Sequence, residues 1–526
     1  MNFANYAVIH ARHNPDKICL IERTPSIGRR RTLTWKEFND SINRTANYLS
    51  KELGVKDGDY VLHLQNNSLE WLITYFGIIK IGAVVVPLNF RFVGADILHA
   101  ASVCKPSVFI LGSEFLPVVQ PIQKDLETVE GYICLGESVP KDMIDYRTVA
   151  AYDDNSEALV DVDDAHDLAM MFTSGTTGKP KPVMHTHLSI NSAAIGNGMT
   201  FSAKRIDNCV IYLPLYHSGV TFVWFGYYAA GGTGTLLREF REAKWIIETM
   251  AEEKGKDIVF VVPIAVAVIN AVNKGEINLS DYDLSSWKFV TLGAQPIPFD
   301  VLKGVAETLG VKVCNVYGTT EGGGGGTSIL YPEDAFSKPG SIGKPSFGVT
   351  AKIVDPDGKE VAPGEVGELI FTTPRLMKGY FGNPELTAET IRDGWLYSGD
   401  LACVDDEGFF YIVDRKKDMI TSGGENIYPV EIEDALMTHP KIDDVACIGY
   451  PDERLVEIVL AIVQLKEGEN MTEEEVIEFA KGQLSIYKIP RKVVFDSVMR
   501  NPTGKLMKPE MREKFTGRKE AFQKLS

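Results

Sequence analysis

The sequence is short of five things. Its seven cysteines stand at 19, 104, 134, 209, 314, 403 and 447, no two of them at metal-ligand spacing, and their number is odd. That argues against a disulfide framework or a cysteine metal site and predicts free thiols in a reducing cytoplasm. Positive charge is also scarce: 54 Lys and Arg stand against 71 Asp and Glu, a net charge of -17. A broad nucleic-acid footprint needs a basic face and is disfavoured, whereas one local cationic site for an anion such as ATP is not. No apolar run reaches the ~20 residues of a membrane span. The strongest, 258–272, contains Pro263 and Asn270 and reads as a buried strand followed by a helix. No integral span is expected, and peripheral membrane contact stays open. The first twenty residues lack the apolar core of a signal peptide. Repeats are missing too, and the one low-complexity stretch is the glycine run 322–326.

What is present suits a multi-domain globular protein. The chain has 526 residues, 44% hydrophobic and 24% charged. Thr34 and Glu37 form a capping box before Trp35, Phe38, Ile42, Leu49 and Leu53 at helical spacing. A strand at 60–64, a helix at 69–81 and an apolar run at 83–87 follow. Helices alternating with wholly apolar strands, a pattern that recurs through residue 320, predict an α/β fold whose sheet is covered on both faces. Over 363–413 short strands and turns dominate. Past the charged run Asp414-Arg415-Lys416-Lys417-Asp418 a compact α+β unit is expected, with a helix from Pro429, apolar runs at 445–448 and 458–465, a helix capped by Thr472 and a last strand at 493–495.

The stretch Thr173-Ser174-Gly175-Thr176-Thr177-Gly178-Lys179-Pro180-Lys181 follows the apolar run 168–172. Two residues, not four, separate its glycines, and Pro180 follows Lys179, so it is no Walker loop. A polar hairpin turn is one reading. Four hydroxyls, two glycines and two lysines in nine residues favour an anion cradle, because glycines let N–H groups converge and lysines neutralise charge.

This stretch resembles the signature of the AMP-forming acyl-CoA synthetases, a family that includes adenylation domains and beetle luciferases. Five more matches follow in the family's order: Tyr317-Gly-Thr-Thr-Glu321; Gly367-Glu-Leu with Met377-Lys-Gly-Tyr380; Trp395-Leu-Tyr-Ser-Gly-Asp400; Asp414-Arg-Lys-Lys-Asp418 running into Ser422-Gly-Gly-Glu-Asn426; and Tyr487-Lys-Ile-Pro-Arg491 leading to Asn501-Pro-Thr-Gly-Lys505. The resemblance implies a large N-terminal domain (1–413) of helix-covered sheets with a small β-barrel-like part, a hinge (414–417) and a small mobile α+β C-terminal domain (418–526). It implies a carboxylate attacking the α-phosphorus of ATP to give acyl-AMP and pyrophosphate, after which the thiol of CoA displaces AMP. The loop would hold the β- and γ-phosphates.

The resemblance assigns roles residue by residue. Lys505 would bridge carboxylate, ribose and α-phosphate, and Glu321 would be the Mg2+-side carboxylate. Asp400 would accept from both ribose hydroxyls, and Arg415 would reach ribose or phosphate. Tyr317 with Gly318 and Thr320 would border the adenine, and Gly293-Ala294-Gln295 would be the small-residue strip beside adenine and acyl group. His217, in Pro214-Leu-Tyr-His-Ser-Gly219, would lie near the substrate carboxylate. Lys417 would be the hinge residue, and Gly423-Gly424 would border the CoA channel. The acyl pocket is expected near Val220, Trp224 and Leu292, which are apolar, with Trp224 equally readable as core.

Two departures stand out. Pro182 replaces the usual glycine, so the loop's exit must be extended. The glycine run after Glu321 would leave floor near the acyl tunnel bare, suiting a bulky or long acyl group. An amino-acid adenylation domain without CoA transfer is the alternative, but Tyr216-His217-Ser218-Gly219 offers no acid for a substrate ammonium and no carrier domain follows. A luciferase-like oxygenase shares the motifs, whereas a non-catalytic scaffold would be expected to lose Lys505 or Glu321. The expected acid is a medium-to-long-chain fatty acid or an aromatic or alicyclic carboxylate rather than acetate, and no arginine for a dicarboxylate lies close to the pocket residues in sequence. The oligomeric state is not written in the sequence, and a homodimer stays open.

Overall fold

A computed structural model describes residues 1–173, 180–239, 241–324, 327–422, 425–452, 454–501 and 504–517. The described residues form four sheets. An eight-stranded sheet includes Tyr60–Leu64, Val84–Pro87, Val108–Gly112, Asp167–Thr173 and Lys181–Thr186. A nine-stranded sheet includes Asn208–Ile211, Thr233–Leu237, Asp257–Phe260, Phe289–Gly293 and Lys312–Tyr317, which run parallel to their neighbours in this group. Wholly buried apolar strands need cover on both faces, and amphipathic helices supply it. The helix Trp35–Lys51 starts at the expected box, with Thr34 accepting from the Glu37 N–H and the Glu37 carboxylate accepting from Thr34 N–H. Leu69–Lys80 is capped by Ser68. The run 258–272 divides as expected into the strand Asp257–Phe260 and the helix Val262–Asn273. One core joins both sheets through Phe3, Trp35, Phe38, Phe76, Phe225 and Tyr228; burying each ring of this size contributes roughly 1.5–3 kcal/mol.

Residues 350–415 build the third sheet, antiparallel, from Thr350–Val354, Gly367–Thr372, Trp395–Val404 and Phe410–Arg415 with the short strand Ile391–Arg392. The fourth contains Ile420–Ser422, Ile442–Asp452, Val456–Leu465 and Lys492–Phe495. It packs on the helices Pro429–Met437 and Glu473–Lys481, the latter capped by Thr472. The chain therefore leaves one sheet at Arg415 and enters the next at Ile420. All seven cysteines are free thiols, six of them buried. No helix among the described residues is long and apolar enough to cross a membrane.

Candidate active site

Parallel strands deliver ligand-binding loops at their C-terminal ends. In the nine-stranded sheet those ends lead into 214–217, Gly293-Ala294-Gln295 and 317–321. A Cβ on Gly293 would lie 2.8 Å from the Val316 carbonyl oxygen, so no side chain fits there. Ala294 adopts φ +71, a left-handed conformation that costs an alanine ~1–2 kcal/mol. Backbone strain of this kind gathers at ligand clamps.

The segment before His217 is clamped by Asn67. Its amide donates to the Leu213 carbonyl at 2.8 Å and its oxygen accepts from the Leu215 N–H at 2.9 Å. His217 then caps the helix Ser218–Ala230, its Nδ1 accepting from the Gly219 N–H at 3.3 Å. An accepting Nδ1 puts the ring proton on Nε2. Burial, with the nearby Lys505 charge, pushes the His217 pKa down to about 4. The ring is thus neutral, with one N–H to offer.

The loop 317–321 is held from several sides. His185 Nε2 meets the Thr320 carbonyl at 2.8 Å and Ser218 Oγ meets Thr320 Oγ1 at 2.9 Å. Burial pushes His185 down to about 4, so the neutral ring donates to the carbonyl. The Met377 N–H donates to the Glu321 carbonyl at 2.8 Å, and Tyr380 donates from its hydroxyl to Glu321 Oε1 at 2.8 Å.

Asp400 is buried, with Tyr317 donating to Oδ2 at 2.5 Å and Arg415 Nε on Oδ1 at 2.5 Å. Each oxygen keeps a second lone pair for a further donor. Glu368 of the Gly-Glu-Leu motif accepts from the Gly399 N–H at 3.1 Å and pairs Lys416 at 2.9 Å. The turn bearing Asp400 is thereby tied to the junction between sheets.

Lys505 follows a tight turn in which the Asn501 N–H donates to the Lys505 carbonyl, and the Lys505 N–H to Asn501 Oδ1, both at 2.9 Å. Gly504 has φ +83, and a Cβ there would collide with Oε1 of Gln295. Only glycine lets this turn settle on the strand end of the large lobe. Arg415's charge first, then burial, brings the Lys505 pKa down to about 8; Lys417 adds to the fall while Asp400 and Glu321 oppose it. Lys417 is also lowered, by burial first, with Arg415 and Lys181 contributing and Asp418 opposing. The structure thus gathers Lys181, Arg415, Lys417 and Lys505 around Glu321 and Asp400.

Behind the junction lies a buried ion network. Lys508 Nζ pairs Glu433 Oε1 at 2.8 Å, Arg512 pairs Asp418, and Asp414 accepts from the Arg415 and Val430 N–H groups at 2.6 and 3.1 Å. Burial pushes Asp414 up to about 6 against the pull of Lys508. The helix Lys508–Thr516 is in this way locked to residues on both sides of the junction. Lys508→Ala leaves buried carboxylates uncompensated, and is expected to destabilise the small lobe by about 3–5 kcal/mol, read as an earlier transition in urea denaturation or faster cleavage under limited proteolysis.

Thr173 pairs with Lys181 in antiparallel register, and Pro182 lies in the extended strand Lys181–Thr186 as expected. The expected contacts of Ser174, Gly175, Thr176, Thr177, Gly178 and Lys179 lie outside the described residues, as do Gly423 and Gly424 and the side chain of Val220. Two expectations are corrected, and Trp224 takes the core reading of its two: it packs on Phe76, Phe225 and Tyr228 with ring centroids 5.4–6.1 Å apart, and its indole occupies the space beside Gly234. Leu292 is fully buried among Ile258, Phe260 and Val290, on the core under the helices. The glycine run is not bare floor where it is described: Cβ atoms on Gly322 and Gly323 would lie 2.7 Å from the Phe371 ring and 2.6 Å from Arg375 Cβ. Arg375, unmarked in the sequence, is buried and donates to the Phe347 carbonyl.

Residues 8–381 match the family described as AMP-binding enzyme, and residues 431–505 match the AMP-binding enzyme C-terminal domain. The chain belongs to the AMP-binding enzymes. It is 34% identical over 489 residues to the long-chain-fatty-acid–CoA ligase FadD13 of Mycobacterium tuberculosis, covering 92% of this chain and 93% of that one. It is 34% identical over 485 residues to a feruloyl-CoA synthase of an Amycolatopsis species, covering 92% and 94%. Among solved structures, the anthranilate CoA ligase AuaEII with anthranoyl-AMP superposes with a TM-score of 0.87 at 25% identity, covering 98% and 97%. Within the AMP-binding enzymes this chain is an AMP-forming acyl-CoA synthetase, an acid–CoA ligase.

Proposed function

We propose that this AMP-binding enzyme runs two half-reactions at the site above. In the first, a carboxylate oxygen of the acid attacks the α-phosphorus of ATP. The bond from that phosphorus to the bridging oxygen breaks, and pyrophosphate leaves with the electron pair. In the second, the sulfur of CoA, its proton lost, attacks the acyl carbon, and AMP leaves.

The observation that carries this reading is the gathering of Arg415, Lys417 and Lys505 beside Asp400 and Glu321, with Arg415 paired to Asp400 and its charge the first cause of the lowered Lys505 pKa. Like charges held together are relieved by a polyanion, and fixed charge aimed at phosphoryl oxygens is how such transfers are stabilised. Residues 173–179 take the β- and γ-phosphates, and the strip 293–295, with Tyr317, Gly318 and Thr320, borders the adenine. Asp400 takes the ribose hydroxyls, Arg415 reaches ribose or phosphate, and Lys505 bridges to the α-phosphate. The Nε2–H of His217 donates to the acid's carboxylate, which needs no general base because it is already ionised. Glu321 suits Mg2+: one carboxylate beside a phosphate site matches an ion that keeps several waters. When bound, the ion would screen the phosphate oxygens against the incoming anion. Lys417 is the hinge about which residues 418–526 swing, and Gly423 and Gly424 then border CoA. The setting is cytoplasmic, and the assembly open to a homodimer.

For the acid we favour a medium-to-long-chain fatty acid or an aromatic or alicyclic carboxylate, in keeping with the relatives named above. A panel of acids given MgATP and CoA tests both parts through AMP and pyrophosphate release. AMP is expected, with kcat/KM for the preferred acid about a hundredfold above acetate, as three or four buried CH2 groups would give. Formation of ADP would overturn the mechanism, and saturation by acetate alone would overturn the acid.

A further inference from the structure

The segment 377–381 touches both halves of the phosphate-handling apparatus. On one side lie the two bonds to Glu321 already described. On the other, the Lys378 N–H donates to the Met184 carbonyl at 2.8 Å and the Phe381 N–H to the Pro182 carbonyl at 2.9 Å. Gly379–Tyr380 pairs as a short strand with Met184 and Val183, on the strand that leaves the anion loop. Lys181, the first residue of that strand, holds its ammonium 5.4 Å from the centroid of the Tyr380 ring. One side chain therefore meets a carboxylate with its tip and an ammonium with its face.

Its surroundings leave the ring little freedom. Tyr380 is buried against Val183, Met377, Leu386 and Ile391, and its N–H donates to Thr387 Oγ1 at 2.9 Å. A Cβ on Gly379 would lie 2.8 Å from Thr387, so the backbone approaches the helix Pro384–Thr390 closely. A phenol has a single proton to give. Burial and Glu321 both push its pKa up, which keeps that proton on. Given to Oε1, the proton leaves Oε2 of Glu321 for a cation. A free glutamate carries ~1.5–2 kcal/mol of rotamer freedom, which this bond removes in advance. The ring face attracts the ammonium through its quadrupole.

We propose that Tyr380 is a positioning residue for the adenylating half-reaction: its hydroxyl fixes the rotamer of Glu321, and its ring holds Lys181 at the exit of the anion loop, so that both approach one triphosphate in a set geometry. This rests on the reading of Glu321 as the magnesium-side carboxylate. The test uses the full chain and the non-reacting analogue α,β-methylene-ATP, and follows binding of Mn2+ by electron paramagnetic resonance. Tyr380→Phe keeps the ring and removes the hydroxyl. Its affinity for Mn2+ in the analogue complex should fall about three- to tenfold, while analogue affinity in EDTA stays at the wild-type value. Tyr380→Leu removes the ring as well, and both affinities should fall. Wild-type Mn2+ affinity in Tyr380→Phe, together with a loss in Glu321→Gln, would overturn the role of Tyr380 alone. Wild-type affinity in both variants would overturn the reading of Glu321 and the inference with it. An equal fall of both affinities in Tyr380→Phe would mark a general loosening of the site and would also overturn the inference.

Discussion

Lys505→Ala is expected to cut acid-dependent exchange of labelled pyrophosphate into ATP by about 10²–10³-fold. Conversion of supplied acyl-AMP and CoA to thioester should stay within about threefold of wild type, because the proposed swing carries Lys505 away from the site before that half-reaction. The turn carrying Lys505 rests on Gln295 through Gly504, and its ammonium feels Arg415, Asp400, Glu321 and His217 at once. The same lysine sets a pH limb. A lowered pKa of about 8 means that Lys505 is charged below that pH and neutral above it. Since ATP is met by the charged form, kcat/KM for ATP in the exchange reaction should hold below about pH 8 and fall tenfold per unit above it, the free-enzyme parameter reporting the free-enzyme pKa. Bound polyanion favours the proton, so kcat should turn down at higher pH. The limb should vanish from the residual activity of Lys505→Ala. Unchanged exchange in the variant would remove Lys505 from the mechanism.

Lys417→Pro is expected to separate the two half-reactions in the opposite sense. Thioester formation from supplied acyl-AMP should drop by about 10²-fold, the cost of a misplaced lobe, with pyrophosphate exchange within about threefold of wild type. Proline fixes φ near -65° and so removes the rotation a hinge needs. The flanking N–H groups are already committed, Lys416 to the Gly399 carbonyl at 3.0 Å and Asp418 to the Arg415 carbonyl at 2.9 Å. Rapid-quench assays of each half-reaction check this. Normal rates in both would retire Lys417 as the hinge.

Much of this site was readable before any coordinates, because its signals are local. Capping at Thr34 and Thr472, the proline that forces an extended loop exit, and the turn ahead of Lys505 each lie within a few residues of what they control. Trp224 was readable either as pocket or as core, and Leu292 was placed wrongly, for a different reason. Apolar character does not tell pocket from core, because both faces of a covered sheet are apolar and the helix Ser218–Ala230 is buried all round over 223–228. His185 carried no local mark, and Tyr380, though it closes the motif Met377-Lys-Gly-Tyr380, carried no assigned role. Their partners, Thr320 and Glu321, lie 135 and 59 residues away, and only tertiary pairing brings them together. The glycines at 322 and 323 were visible, but their reason, the Phe371 ring and Arg375, lies in a strand of another sheet and the turn that follows it.

The seat of Gly504 on Gln295 has one more consequence. Held at φ +83 with Oε1 of Gln295 against it, Gly504 fixes where the chain stands one residue before Lys505. The reach of that ammonium is therefore set by a residue that has no side chain of its own.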